Sequence, residues 1–129
     1  LHRLPNIAVD ILRLGGLVGQ DRHPGRFLAG KRGIKNGSHG VNLVHQDDVI
    51  AAIQLLLRRP DGNRTYNLCA PQHPQKQVFY RSAAKRLGLT PPQFDADDGS
   101  AGKIVDGSRI CRDLGFTYQF PDPDRMPVS

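Results

Sequence analysis

The run Val41-Asn42-Leu43-Val44-His45-Gln46-Asp47-Asp48-Val49-Ile50 changes its hydrophobic period partway along, and the fold class follows from that change. Residues 41–45 read as a short strand rich in branched aliphatic side chains. Asp47 or Asp48 then fits the N-cap of a helix. Val49, Ile50, Ile53, Leu56 and Leu57 recur at helical spacing, which predicts a single apolar stripe facing a core. Arg58-Arg59 complement the negative end of that helix, and Pro60 with Asp61-Gly62 stops it. Thr65-Tyr66-Asn67-Leu68-Cys69 is a second strand. Strand, helix and strand thus follow in the order of a right-handed crossover unit, and the chain is expected to be α/β.

Upstream, Ile7-Ala8-Val9-Asp10-Ile11-Leu12-Arg13-Leu14 is apolar on both alternating faces, the pattern of a parallel strand buried on both sides. It leaves through Gly15-Gly16 into Leu17-Val18-Gly19 and the polar loop Gln20-Asp21-Arg22-His23-Pro24-Gly25. A short helix is expected over residues 26–30 and no regular element over 33–40. Leu1-His2-Arg3-Leu4 reads as the last turn of a helix already under way, so the chain is expected to begin mid-protein.

Downstream, a helix is expected over residues 75–87, with Val78, Phe79, Ala83 and Leu87 inward and Gly88 as its C-cap. Residues 89–102 form a loop whose acidic patch, Asp95, Asp97 and Asp98, is expected to be solvated. Residues 103–106 suggest a short strand. Ser108 then caps a brief helix through Leu114, closed by Gly115, and residues 116–123 are extended, aromatic and proline-terminated.

Composition narrows the function classes. With 129 residues and 38% hydrophobic content, the chain can build one modest core. Lys and Arg number 18 against 12 Asp and Glu, a net +6, but they are scattered, with nothing longer than Arg58-Arg59 or Lys85-Arg86. Without a basic stripe interleaved with aromatics, a solvated basic surface is favoured over a nucleic-acid-binding module. Cys69 and Cys111 lack a C-x-x-C partner and suit reduced, packed thiols in a cytoplasmic protein. His2, His23, His39, His45 and His73 show no metal-ligand spacing, so no metal site is expected. No apolar run approaches the roughly 20 residues of a membrane span.

Four pieces in order resemble the extended short-chain dehydrogenase/reductase family, the nucleoside-diphosphate-sugar epimerases and dehydratases. They are Leu12-Arg13-Leu14-Gly15-Gly16-Leu17-Val18-Gly19, then Leu43-Val44-His45-Gln46-Asp47-Asp48-Val49, then the Tyr-Asn-Leu strand, and last Ser108-Arg109 leading to Leu114-Gly115-Phe116. The resemblance implies the C-terminal part of a Rossmann-type protein over residues 1–129: late sheet strands plus a small substrate-binding subdomain, with the N-terminal dinucleotide-binding half absent. It implies NAD or NADP in the intact parent and none bound by this chain alone. Its implied substrate is a nucleotide-sugar or another small molecule. Leu14, Gly15, Leu17 and Val18 would border the cofactor, and Gly16, Arg22, Arg26 and Phe27 the substrate.

The family's glycine-rich cofactor turn has no counterpart here. Its Tyr-x-x-x-Lys pair is absent too: Tyr66, Tyr80 and Tyr118 are followed four residues on by Ala70, Ala84 and Asp122. No catalytic residue is therefore assigned. Gly16 stands where many members carry an Asn, and Val41 where many carry an Arg for the diphosphate. Arg22, Arg26 and Lys31 could replace that Arg. Phe27 is either a stacking platform or a loop anchor, and His45 with Asp48 suit structural roles better than catalysis. The rival readings are a non-catalytic dinucleotide-binding sensor or scaffold of the same family and a basic nucleic-acid-binding module. A missing half would leave an exposed sheet edge and a tendency to self-associate.

Overall fold

The computed structural model describes residues 7–128. The helix end expected at Leu1-Leu4 lies outside them. Four short strands and three helices follow in the order β1 (Ile11–Leu14), β2 (Gly16–Val18), β3 (Leu43–His45), α1 (Gln46–Leu57), β4 (Thr65–Leu68), α2 (Lys76–Arg86) and α3 (Arg109–Leu114). All pairing between strands is parallel: β1 lies against β4, and β2 against β3. No helix among the described residues is long and apolar enough to cross a membrane.

The strands meet in a wedge. β1 and β4 pair directly, then their continuations diverge and β3 enters between them. The Gly15 amide donates to the Leu68 carbonyl at 2.9 Å, and the next amide, Gly16, donates to Asn42 at 2.8 Å. On the far side of β3 the Leu43 carbonyl accepts from the Ala70 amide at 2.7 Å. A Cβ on Gly15 would lie 2.8 Å from the Asn42 carbonyl oxygen, so only glycine lets the strands approach this closely. The expected crossover thus exists as strand, helix and strand, but β3 and β4 are joined only beyond the end of β4.

The two-sided burial predicted for residues 7–14 belongs instead to β3. Every residue of β3 is buried, with Val44 in one apolar cluster and Leu43 in the other. β1 is shorter than expected and partly exposed, because β4 is its sole strand neighbour among the described residues. The first cluster unites Val44, Ala52, Leu56, Tyr66, Leu68, Ile110 and Phe116. The second unites Val18, Val41, Leu43, Ala70, Phe79 and Met126.

Two buried polar residues at the start of α1 fasten the C-terminal segment. His45 is itself the N-cap: its Nδ1 accepts from the Asp47 amide at 3.1 Å, correcting the expectation of an aspartate cap. With Nδ1 an acceptor, Nε2 carries the proton and donates to the Pro127 carbonyl at 2.6 Å. Asp48, 1% exposed, receives the Gln119 and Phe120 amides at 2.7 and 3.1 Å. That inward carboxylate fixes the rotation of α1, placing Ala52 and Leu56 on the core side. Ile50, Ile53 and Leu57, predicted inward, consequently face outward, Leu57 at 76% exposure.

Other expectations need smaller corrections. The helix over 26–30 is a single 3-10 turn at Pro24–Arg26, set by a proline at its first position. Val78 faces solvent, because α2 turns Phe79, Ala83 and Ala84 to the core. Residues 103–106 form no strand; the Asn42 side chain serves as their partner, donating to the Lys103 carbonyl and accepting from the Val105 amide. Ser108 makes no capping bond, its hydroxyl being taken by Arg112, while Gly115 closes α3 in the left-handed conformation. The acidic patch is exposed yet engaged. Asp95 pairs with Lys35, Asp97 receives the Ser38 and Gly99 amides, and Asp98 receives that of Ser100.

Two substitutions test this architecture. Gly15→Ala should destabilise the chain by about 2 kcal/mol in urea denaturation, more than Gly16→Ala, whose new Cβ would crowd a Leu43 methyl group rather than backbone. Asp48→Ala strands two amides and should cost about 3 kcal/mol, whereas Asp47→Ala on the exposed face should cost no more than about 0.5 kcal/mol. Equal losses for the two aspartates would contradict the clamp.

Candidate functional site

A cleft of about 490 Å³ opens at the carboxyl end of β2, beside Tyr80 in the middle of α2. In parallel sheets ligands collect outside this end of the strands. Gly16, Leu17, Val18, Arg22, Arg26 and Phe27, six of the eight positions singled out in the sequence, line it. Leu14 and Gly15 do not. Leu14 is exposed at the end of β1, and Gly15 sits against the Asn42 backbone.

The loop forming one wall is held rigidly. His23 accepts the Gly25 amide on Nδ1 at 2.9 Å, which shapes the 3-10 turn. Gly25 is buried flush against α2: a Cβ there would lie 2.4 Å from the Ala83 carbonyl oxygen. Tyr80 of α2 also lines the cleft and meets Phe27 with ring centroids 5.7 Å apart. Phe27, 65% exposed, is therefore a half-open aromatic surface rather than a core anchor. Burial raises the Tyr80 phenol above its ordinary value, so it stays protonated and can donate a hydrogen bond.

The charge of the cleft is positive but not uniform. Arg22 and Arg26 have no ion-pair partner among the described residues. Asp21, in the left-handed conformation at φ 65°, places a carboxylate in the same wall. Lys31 is not part of the lining; its Nζ lies 5.9 Å from the Phe27 ring centroid. Val41 is buried at 2% exposure and brings no cation. Asp21, Leu43 and Tyr80 were not anticipated as lining residues. Gly25 carried a usable signal for Tyr80, since a glycine inside a polar loop marks the close approach of another backbone, here that of α2.

The remaining candidates take structural places. His45 and Asp48 are occupied in the C-terminal clamp. Cys69 is buried, and desolvation pushes its thiol up to about 11, which makes it a packed thiol rather than a nucleophile.

No protein-family model matches the chain. Protein YeeZ of Escherichia coli is 61% identical to it over 130 residues, a match covering 100% of this chain and 47% of that protein. The chain thus spans about half the length of the curated relatives it matches. Among solved structures, a conserved protein of unknown function from Silicibacter pomeroyi aligns with TM-score 0.74 and 25% identity, over 95% of this chain and 48% of that one. The Bordetella bronchiseptica enzyme WbmG, in complex with NAD and UDP, aligns at 0.65 with 15% identity, over 92% and 42%. The UDP-N-acetylglucosamine 4-epimerase of Bacillus cereus aligns at 0.68 with 14% identity, over 92% and 46%. The fold is that of the C-terminal portion of Rossmann-type epimerases and dehydratases.

The cleft wall should also respond to pH. Burial first, then the charges of Arg86 and Arg26, hold the His23 imidazole below its ordinary value of 6.5. The folded state favours the neutral ring, whose Nδ1 must accept the Gly25 amide. Its contribution to stability is complete above 6.5 and is lost as pH falls from there through the depressed folded value. Protection of the Gly25 amide from hydrogen exchange, corrected for intrinsic rates, should decline between about pH 7 and pH 5. His23→Ala should flatten that profile, and an unchanged slope in the variant would dismiss the assignment.

Proposed function

We propose that the chain is the substrate-side part of a longer NAD- or NADP-dependent protein of the epimerase/dehydratase type, and that the Arg22–Phe27 cleft receives an anionic, nucleotide-bearing substrate. One observation carries this reading: two guanidiniums without an ion-pair partner among the described residues flank a half-open aromatic pair at the carboxyl end of parallel strands. Phe27 and Tyr80 offer a face to a planar base, while Arg22 and Arg26 offer charge-assisted donors to a diphosphate. The solved relatives include enzymes captured with UDP or UDP-glucose, which have those two parts.

The N-terminus of α1 does not suit the cofactor's phosphates, because it is capped by His45 and carries Asp47 and Asp48 in its first turn. With neither a glycine-rich turn nor a Tyr-x-x-x-Lys pair present, no chemical step is assigned to residues 7–128. Dinucleotide binding and proton transfer belong to the other half of the longer protein. That half would dock on the open edge of β1 and the outward Ile50, Ile53 and Leu57 of α1. In the isolated chain the same surface promotes self-association.

Val41 favours a second reading within the same family. The position offers a buried aliphatic side chain where a diphosphate-neutralising arginine is expected, which suits a sensor or scaffold that binds a dinucleotide without turning over a nucleotide-sugar. Both readings meet one calorimetric experiment. UDP should bind the chain with a Kd on the order of 1 mM, and Arg22→Ala with Arg26→Ala should weaken it at least about tenfold. Saturable UDP binding indifferent to both arginines would remove the substrate role, and sub-millimolar NAD binding by the chain alone would overturn the division into halves. Absence of UDP binding alongside dinucleotide binding by the full-length protein would select the sensor.

A further inference from the structure

A second concavity, of about 400 Å³, lies away from the Arg22–Phe27 cleft, and its lining shares no residue with it. Arg13 of β1 and Asn67 of β4 stand opposite each other in the parallel register and form its floor with Thr65. Asp106, Arg109 and Arg112 form the wall. Three guanidiniums therefore border one small space, and Asp106 supplies the only carboxylate of its lining. An anion placed among them would be attracted by all three.

The wall is already oriented. Arg109 donates to the Thr65 carbonyl, lies 4.9 Å over the Tyr66 ring and faces the Asp113 carboxylate at 3.7 Å. Arg112 is held by its Nη1 donating to the Ser108 hydroxyl at 2.6 Å. Each keeps further N–H donors free, because a guanidinium has more donors than these partners use. Arg13 has no ion-pair partner among the described residues, so its whole fork is available. Asp106 is turned toward the start of α3, where its Oδ1 accepts the Ser108 amide at 2.9 Å.

We propose that this concavity binds a phosphate or diphosphate group. A planar guanidinium fork matches two oxygens of a phosphate, and several forks around one space provide for more charge than a single carboxylate brings. The Asn67 amide adds a neutral donor, and the volume is at the small end for a small-molecule site. The ligand is therefore a compact, multiply charged anion, bound at a place separate from the substrate cleft.

The test is a heteronuclear NMR titration of the 129-residue chain with sodium pyrophosphate and, separately, sodium phosphate, at ionic strength held constant with sodium chloride. Saturable shifts should appear at the amides of Arg13, Asn67 and Arg112. Joint substitution Arg13→Gln and Arg112→Gln, both at exposed positions, should weaken binding at least about tenfold. Asp106→Asn, which keeps the acceptor for Ser108 but removes the opposing charge, should tighten it. Arg22→Ala with Arg26→Ala should leave it unchanged. Tighter saturation by pyrophosphate identifies a diphosphate as the occupant, and the converse a single phosphate. Shifts that stay linear with either anion, that survive the double substitution, or that map to residues 22–27 would each overturn the proposal.

Discussion

A single extended segment, residues 11–18, has to pair with two different strands in succession, and the rest of the molecule is arranged around that requirement. β4 takes its first half and β3 its second, with the exchange completed between the adjacent amides of Gly15 and Gly16. Regular strands point successive amides to opposite sides. Two neighbouring amides serving two strands on the same side break that rule, and a residue without a side chain carries the break. Splaying β2 from the line of β4 brings β3 into the middle of the core and leaves an opening at the carboxyl end of β2.

What fills the remaining sides is the C-terminal segment, drawn in by polar rather than apolar contacts. Asp48 and His45 supply acceptor and donor to backbone groups more than seventy residues away in sequence. The tilted contact of His45 with Phe120, with centroids 4.6 Å apart, and the burial of Met126 add packing to that connection. Arg64 performs a comparable service at the other end of α1. It forks onto Asp10 at 2.9 and 3.0 Å while also donating to the Arg59 carbonyl, so helix end and strand entry are fixed together. The helix is therefore oriented at both ends by charged groups, and its apolar side chains follow.

Much of this was legible from spacing alone. The strand-helix-strand order, the glycine exit from β1, the extent of α2 and the closure of α3 at Gly115 all follow from local pattern. The failures share a cause. The helical period permits two overlapping apolar stripes on α1, one through Val49, Ala52 and Leu56 and one through Ile50, Ile53 and Leu57. Hydrophobicity favours the second, yet the hydrogen bonds of Asp48 select the first, and partners that distant leave no trace in a local window. Likewise, the strand expected at residues 103–106 is a segment served by one Asn42 side chain. Of the substrate cleft, the glycine and cation positions could be read, whereas Tyr80 reaches it only through the packing of α2 on Gly25.

The guanidinium of Arg109 rests on the Thr65 carbonyl, which points away from β1. The outer margin of β4 is thereby occupied by a side chain where another strand would need to hydrogen-bond. Sheet growth in this protein is consequently polar. Among the described residues the edge of β1 stays open to a neighbouring strand while that of β4 is obstructed at Thr65, so pairing between molecules is favoured on the β1 side.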